Sequence, residues 1–137
     1  MKIIICGSMR LSRRMLEVKN ELDQLEHVVI LPRHTEEYAV LNTSDHMHNE
    51  SVKNKINNDL IRQYYDEIKE GDAVLVVNET IKEIKNYIGG NSFLEMGFAH
   101  VLNKKIYLLN DIPEIGYKDE IIAMQPIIIN GDLGKIK

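Results

Sequence analysis

Short, almost wholly apolar runs alternate with amphipathic periods along this chain, and that alternation limits the folds open to it. Lys2 to Cys6 is nearly all apolar and stops at Gly7, the pattern of a strand buried on both faces. Leu11, Met15, Val18, Leu22 and Leu25 then recur at spacings of 4, 3, 4 and 3, one face of an amphipathic helix. Val28 to Leu31 reads as a second strand that Pro32 ends. Residues 33 to 50 are polar, carry three histidines and show no clean period, as expected of a functional or mobile loop. A helix is expected from Val52 to Glu70, with Val52, Ile56, Leu60, Tyr64 and Ile68 on one face and Gly71 closing it. Ala73 to Val77, Ile106 to Leu109 and Ile127 to Ile129 are the remaining strands, and Ser92 to Asn103 is helical. Thr80 and Glu83 have capping-box spacing, which predicts a short helix over Thr80 to Lys85. Asp119 to Met124 is expected to form a helical turn before Pro126.

Strands that alternate with helices imply parallel βαβ units with right-handed crossovers. The expected fold is a flavodoxin-like or Rossmann-like α/β protein, a three-layer α/β/α sandwich around five parallel strands in the order 2-1-3-4-5. With 137 residues, one domain over 1–137 is expected, and such a domain buries about two thirds of its unfolded surface.

In an open sheet of this kind, ligands bind beyond the carboxyl ends of the strands, where the strand order reverses. That point lies between strands one and three. The segments available to it are Gly7-Ser8-Met9-Arg10, residues 32 to 50, Asn78 onward, and Gly89 to Ser92. Asp72 precedes strand three and is expected at the opposite edge.

Several function classes are disfavoured by composition. A net charge of −4 and a pI near 5.7 argue against binding a nucleic-acid polymer through backbone neutralisation. The single cysteine, Cys6, rules out an internal disulfide framework and is expected of a reducing cytoplasm. No apolar run reaches the ~20 residues needed to span a bilayer, so no membrane partner is expected. The N-terminus enters a strand pattern without the apolar core of a signal peptide, which completes the expectation of a small cytoplasmic protein. His34, His46 and His48 match no zinc spacing, and neither a metal nor a cofactor is expected.

Two motifs carry the candidate chemistry. In Gly7-Ser8-Met9-Arg10, Gly7 lets the backbone turn closely, Ser8 offers a hydroxyl, and Arg10 suits a phosphate or carboxylate. The alternative is a tight turn in which Ser8 is an N-cap and Arg10 is solvated. The second motif is Gly89-Gly90-Asn91-Ser92-Phe93-Leu94-Glu95, where two glycines open a helix that bears a carboxylate near its start. Unpaired N–H groups and the positive end of the helix dipole favour an anionic ligand there and keep Glu95 ionised. Ser92-x-x-Glu95 is also the spacing of a capping box, in which the glutamate folds back onto its own backbone. Both readings stand on spacing alone.

Together, Ile5-Cys6-Gly7-Ser8-Met9-Arg10 and Gly90-Asn91-Ser92-Phe93-Leu94-Glu95-Met96-Gly97-Phe98-Ala99 resemble the nucleoside 2-deoxyribosyltransferase family. The first segment is most similar to its deoxynucleoside 5′-monophosphate N-glycosidase branch. The resemblance implies that Glu95 attacks C1′ of a deoxyribose, displaces the base and forms a glycosyl-enzyme that water or a second base resolves. It implies that Ser8, Arg10 and the amides around Gly89, Gly90 and Asn91 hold the 5′ end, in a homodimer or larger homo-oligomer. Asn78, just past strand three, is a candidate contact to sugar or base.

This chain departs from the family's pattern at three places. Tyr64 stands where the family has an aspartate, Ile4 and Ile5 where it has a tyrosine, and Gly89 where it has Ser or Asp. Base departure calls for a proton donor, and Tyr64 and Asp59, both expected on the second long helix, are the candidates. The rival reading is a non-catalytic nucleotide-binding or sensing domain that uses the same pocket. A third, a flavodoxin-like binder of another phosphorylated ligand, lacks a Thr/Ser-rich phosphate loop after strand one and a Trp to stack on a flavin.

Overall fold

The computed structural model describes residues 1–40 and 59–137. Five parallel strands form one sheet: β1 (Lys2–Cys6), β2 (Val28–Ile30), β3 (Ala73–Val76), β4 (Lys105–Leu108) and β5 (Ile127–Ile128), in the order β2-β1-β3-β4-β5. This is the topology the sequence pattern predicts. The register follows from apolar matching, with Ile4 of β1 opposite Ile30 on one side and Val74 on the other.

The helices are α1 (Ser12–Gln24), α2 (Thr35–Tyr38), α3 (Leu60–Glu70), α4 (Gly90–Val101) and α5 (Lys118–Ala123). Successive residues of a strand face opposite sides, and β1 shows the consequence. Ile3 and Ile5 pack with Met15, Val18 and Leu22 of α1, whereas Ile4 and Cys6 pack with Tyr64 and Ile68 of α3 and Met96 and Ala99 of α4. Ile3, Ile4, Ile5 and Cys6 are all fully buried. Each isoleucine buried in this way contributes about 1.5–3 kcal/mol. The short turn after β1 presses on the same core, because a Cβ on Gly7 would lie 2.9 Å from Met15 Sδ.

Two local expectations are corrected. Thr80 to Lys85 is not helical: Ile81 and Ile84 form an antiparallel bridge, and Thr80 Oγ1 accepts the amide of Asn86. Positive φ values at Lys82 and Asn86 make the tight turns that a helix would forbid. In the polar stretch after Pro32, Thr35–Tyr38 closes one helical turn whose Tyr38 is buried. Arg13 pins that turn to α1 by donating to the Ala39 carbonyl at 2.7 Å. Val52, Ile56, His46 and His48 lie outside the described residues.

At the amino edge of the sheet, Asp72 is exposed and accepts the Lys2 amide at 2.7 Å, as its position before β3 predicts. At the carboxyl edge, Asn78 is fully buried. Its Nδ2 donates to the carbonyls of Asn110 and Asp111, each at 3.0 Å, and its Oδ1 accepts the Asn110 amide at 2.9 Å. These bonds clasp the ends of β3 and β4, where no strand ladder remains to satisfy the backbone. Asn78→Ala is expected to destabilise the fold by about 2–3 kcal/mol, because it leaves buried backbone groups unpaired. Urea denaturation of the variant, with an unchanged slope against denaturant, measures that loss.

Candidate functional site

The face that α4 turns to the sheet is made by Ser92, Glu95, Met96 and Ala99, a spacing of 3, 1 and 3. Three of these are small or apolar, as the buried stripe of a helix requires. The fourth is a carboxylate, only 6% exposed. Glutamates are seldom buried unless something holds them. Neighbours of two kinds hold it here among the described residues. Asn91, one turn earlier, donates its Nδ2 to Glu95 Oε2 at 3.3 Å, and the Cys6 thiol at the end of β1 donates to the same side chain.

The capping box is not formed. Gly89 is the N-cap, extended at φ −80° and ψ 172°, and carries no side-chain cap; Gly90 is the first helical residue. Ser92 therefore lies within the first turn and Glu95 in the second, beyond reach of the N-cap amide. The opening amides of α4 receive no capping side chain, which leaves donors at that end for another group. A Cβ at residue 89 would sit 3.1 Å from the Tyr87 ring, a tight contact that the ring would relieve by shifting a few tenths of an ångström.

Glu95 borders a cavity at the carboxyl edge of the sheet. The cavity measures about 100 Å³, room for several waters and hence for part of a small ligand. Its walls come from several elements. Met9, Ile30, Leu31 and Pro32 give an apolar side; Arg33 and His34 follow on the loop after β2; and α3 contributes Leu60, Gln63, Tyr64 and Glu67. Asn91 and Glu95 of α4 and Tyr38 of α2 complete it. The rule that placed ligands at the carboxyl edge named the loop from residue 32, but single residues in it carried no motif. Arg33 was therefore not anticipated, His34 was weighed only as a metal ligand, and Glu67, on the helix face beside Tyr64, was not singled out.

Tyr64 and Asp59, the two anticipated proton donors, have different surroundings. Tyr64 is buried, and its hydroxyl donates to the backbone carbonyl of Ile5, with the Ile30 carbonyl 3.5 Å away. Burial pushes its ionisation well above the ordinary phenol range, and the nearby Cys6, Glu95 and Glu67 add to that. The ring thus ties α3 to β1 and β2. Asp59 is exposed, in a left-handed conformation just before α3, and pairs with Arg62 at 2.7 Å. It does not line the cavity.

The Gly7–Arg10 turn lies at the same edge of the sheet but contributes only Met9 to the cavity wall. Ser8 accepts the Arg10 amide at 3.2 Å and caps a short 3-10 turn, Met9–Leu11. The Arg10 side chain is exposed. Arg14 is engaged with Glu79 at 2.8 Å. Asn78 is held in the β3–β4 clasp, away from the cavity lining. No group of three His, Cys, Asp or Glu side chains is placed to share a metal ion among the described residues. None of their helices is long and apolar enough to cross a membrane.

Two groups here carry a pH dependence of known sign. The Cys6 thiol is pushed well above its ordinary value, first by burial and then by the adjacent Glu95. Tyr64 is raised in the same direction, first by burial. Both are neutral when protonated, so the folded state holds their protons more tightly than the unfolded chain does. The stability they contribute is complete below the unfolded values, 9.0 for the thiol and 10.0 for the phenol, and declines as pH rises past them. Urea midpoints should fall above about pH 9, and Tyr64→Phe should flatten the part of that fall above about pH 10. Cys6 should resist a thiol reagent in the folded protein and react once the chain unfolds.

No protein-family profile matches this sequence, and no curated protein sequence does. Solved structures do resemble it. A CMP N-glycosidase from Clostridium botulinum superposes with a TM-score of 0.51 at 17% identity, over 95% of this chain and 90% of that one. A 2-deoxyribosyltransferase from Bacillus psychrosaccharolyticus gives a TM-score of 0.49 at 20% identity, over 80% of this chain and 72% of that one. At such identities the likeness of the glycosidase is one of fold.

Proposed function

We propose that this chain is an N-glycosidase or deoxyribosyltransferase-like enzyme that cleaves the N-glycosidic bond of a nucleoside or nucleoside 5′-monophosphate. One observation carries the reading: a buried carboxylate, Glu95, breaks the apolar stripe of α4 to border a cavity at the carboxyl edge of the sheet. A side chain that only stabilised the fold would be apolar at that position. The same overall fold serves the solved CMP N-glycosidase, which makes the nucleoside class the natural one to test.

In this reading Glu95 is the nucleophile. Its oxygen attacks C1′ as the base departs, through an oxocarbenium-like transition state, and gives a glycosyl-enzyme. The Asn91 amide and the Cys6 thiol aim the carboxylate, so little reorganisation is needed at the moment of attack. The open amides at Gly89 to Asn91 and the Ser8–Arg10 turn, at the same edge, receive the 5′-hydroxyl or 5′-phosphate. The reading includes a homodimer or larger homo-oligomer and needs neither metal nor cofactor.

A second reading has its own support. The Tyr64 hydroxyl already donates to a backbone carbonyl, and Asp59 pairs with Arg62 outside the cavity. If neither of these two residues protonates the leaving base and nothing else in the pocket does, the domain would bind a nucleotide and release nothing, as a sensing domain does.

Incubation with a panel of nucleosides and 5′-monophosphates, followed by chromatography of free base, separates the two. The enzyme reading expects base release that falls by about 10³-fold or more in Glu95→Ala. Tight binding with negligible release by both proteins sinks it in favour of the sensor.

A further inference from the structure

Among the described residues two carboxylates line the cavity, Glu95 from α4 and Glu67 from α3. Glu67 continues the cavity face of α3, which runs Leu60, Gln63, Tyr64, Glu67 at spacings of 3, 1 and 3. It is partly buried, and no ion pair or hydrogen bond engages its carboxylate among the described residues. Tyr64 lines the same cavity; burial first, and then Cys6, Glu95 and Glu67 nearby, push its phenol up. That phenol cannot turn to a substrate without giving up the Ile5 carbonyl. Asp59 is turned to solvent and to Arg62. Among the described residues, Glu67 is thus the acid on α3 that faces the cavity with no partner to hold its proton.

We propose that Glu67 is the general acid–base partner of Glu95, a catalytic residue that sequence position did not single out. This rests on the reading of Glu95 as nucleophile. In the first step a Glu95 oxygen forms a bond to C1′ while the C1′–N bond breaks. Its electron pair goes to the base nitrogen, which takes the proton of the Glu67 carboxyl group. In the second, the Glu67 carboxylate accepts a proton from water, or from an acceptor base, as that nucleophile attacks C1′ and frees Glu95. The pair returns to its starting state. Two carboxylates that flank one scissile bond and divide the nucleophilic and acid–base roles are the usual solution for a glycosidic linkage.

The test varies the leaving group. Wild type, Glu67→Gln, Glu67→Asp and Glu95→Ala are assayed on the best nucleoside substrate and on the 4-nitrophenyl glycoside of the same sugar, whose phenolate leaves without a proton. Glu67→Gln should slow base release by about 10²- to 10³-fold yet cleave the nitrophenyl glycoside within about 10-fold of wild type. Glu67→Asp should recover part of the lost base release. Glu95→Ala should lose both activities. Equal losses of Glu67→Gln on the two substrates, or none on the nucleoside, would overturn the assignment while leaving Glu95 in place. If wild type and Glu95→Ala release base alike, the nucleophile itself is wrong and the role of Glu67 falls with it.

Discussion

The complete burial of β1 on both faces is the constraint from which the rest of this structure follows. A strand with no exposed side needs a layer above and a layer below, and the chain supplies α1 on one face and α3 and α4 on the other. Once β1 is central, the parallel crossovers on its two sides depart in opposite directions, and the loops leaving β1, β2 and β3 gather at one edge. The cavity lies at that edge because the backbone there turns away from the sheet and side chains from separate elements converge without closing on each other.

Within that frame, the end of β1 has two tasks. Cys6 is the last residue of the strand and packs into the core, yet its thiol meets the carboxylate of Glu95. Ile5, one residue earlier, offers its backbone carbonyl to the Tyr64 hydroxyl. The strand therefore positions the site as well as the fold. Glu95 is tolerated in a nearly dry place because Asn91 and Cys6 satisfy it. An apolar residue would pack there at lower cost, so the carboxylate is not explained by stability alone.

How much of this could be read in advance depended on the range of the interaction. The strands, the helix faces and the parallel order were readable from periodicity, since each apolar run reports its own burial. Asp72 at the amino edge followed from its place before β3. The Thr80–Glu83 spacing misled because a capping box requires a helix to cap, and the isoleucines at 81 and 84 bridge to each other instead. At Ser92 and Glu95 the same spacing left two readings open, and the position of the helix start excludes the capping one. Pattern alone could not tell that the helix starts at Gly90, which moves Ser92 from the cap into the first turn.

The sequence by itself determined the α/β class and the strand order, and it pointed to the edge at which the cavity lies, because burial repeats with a period that local residues reveal. Only the tertiary structure decided which polar side chains share one cavity. It turned Asn78 into a clasp, left Asp59 with Arg62 in solvent, tied Tyr64 to a carbonyl, and brought Glu67, Arg33 and His34 to the same walls as Glu95. These residues come from loops and helices whose positions relative to one another depend on packing. Spacing along a chain describes one element at a time, whereas a site is made where several elements meet.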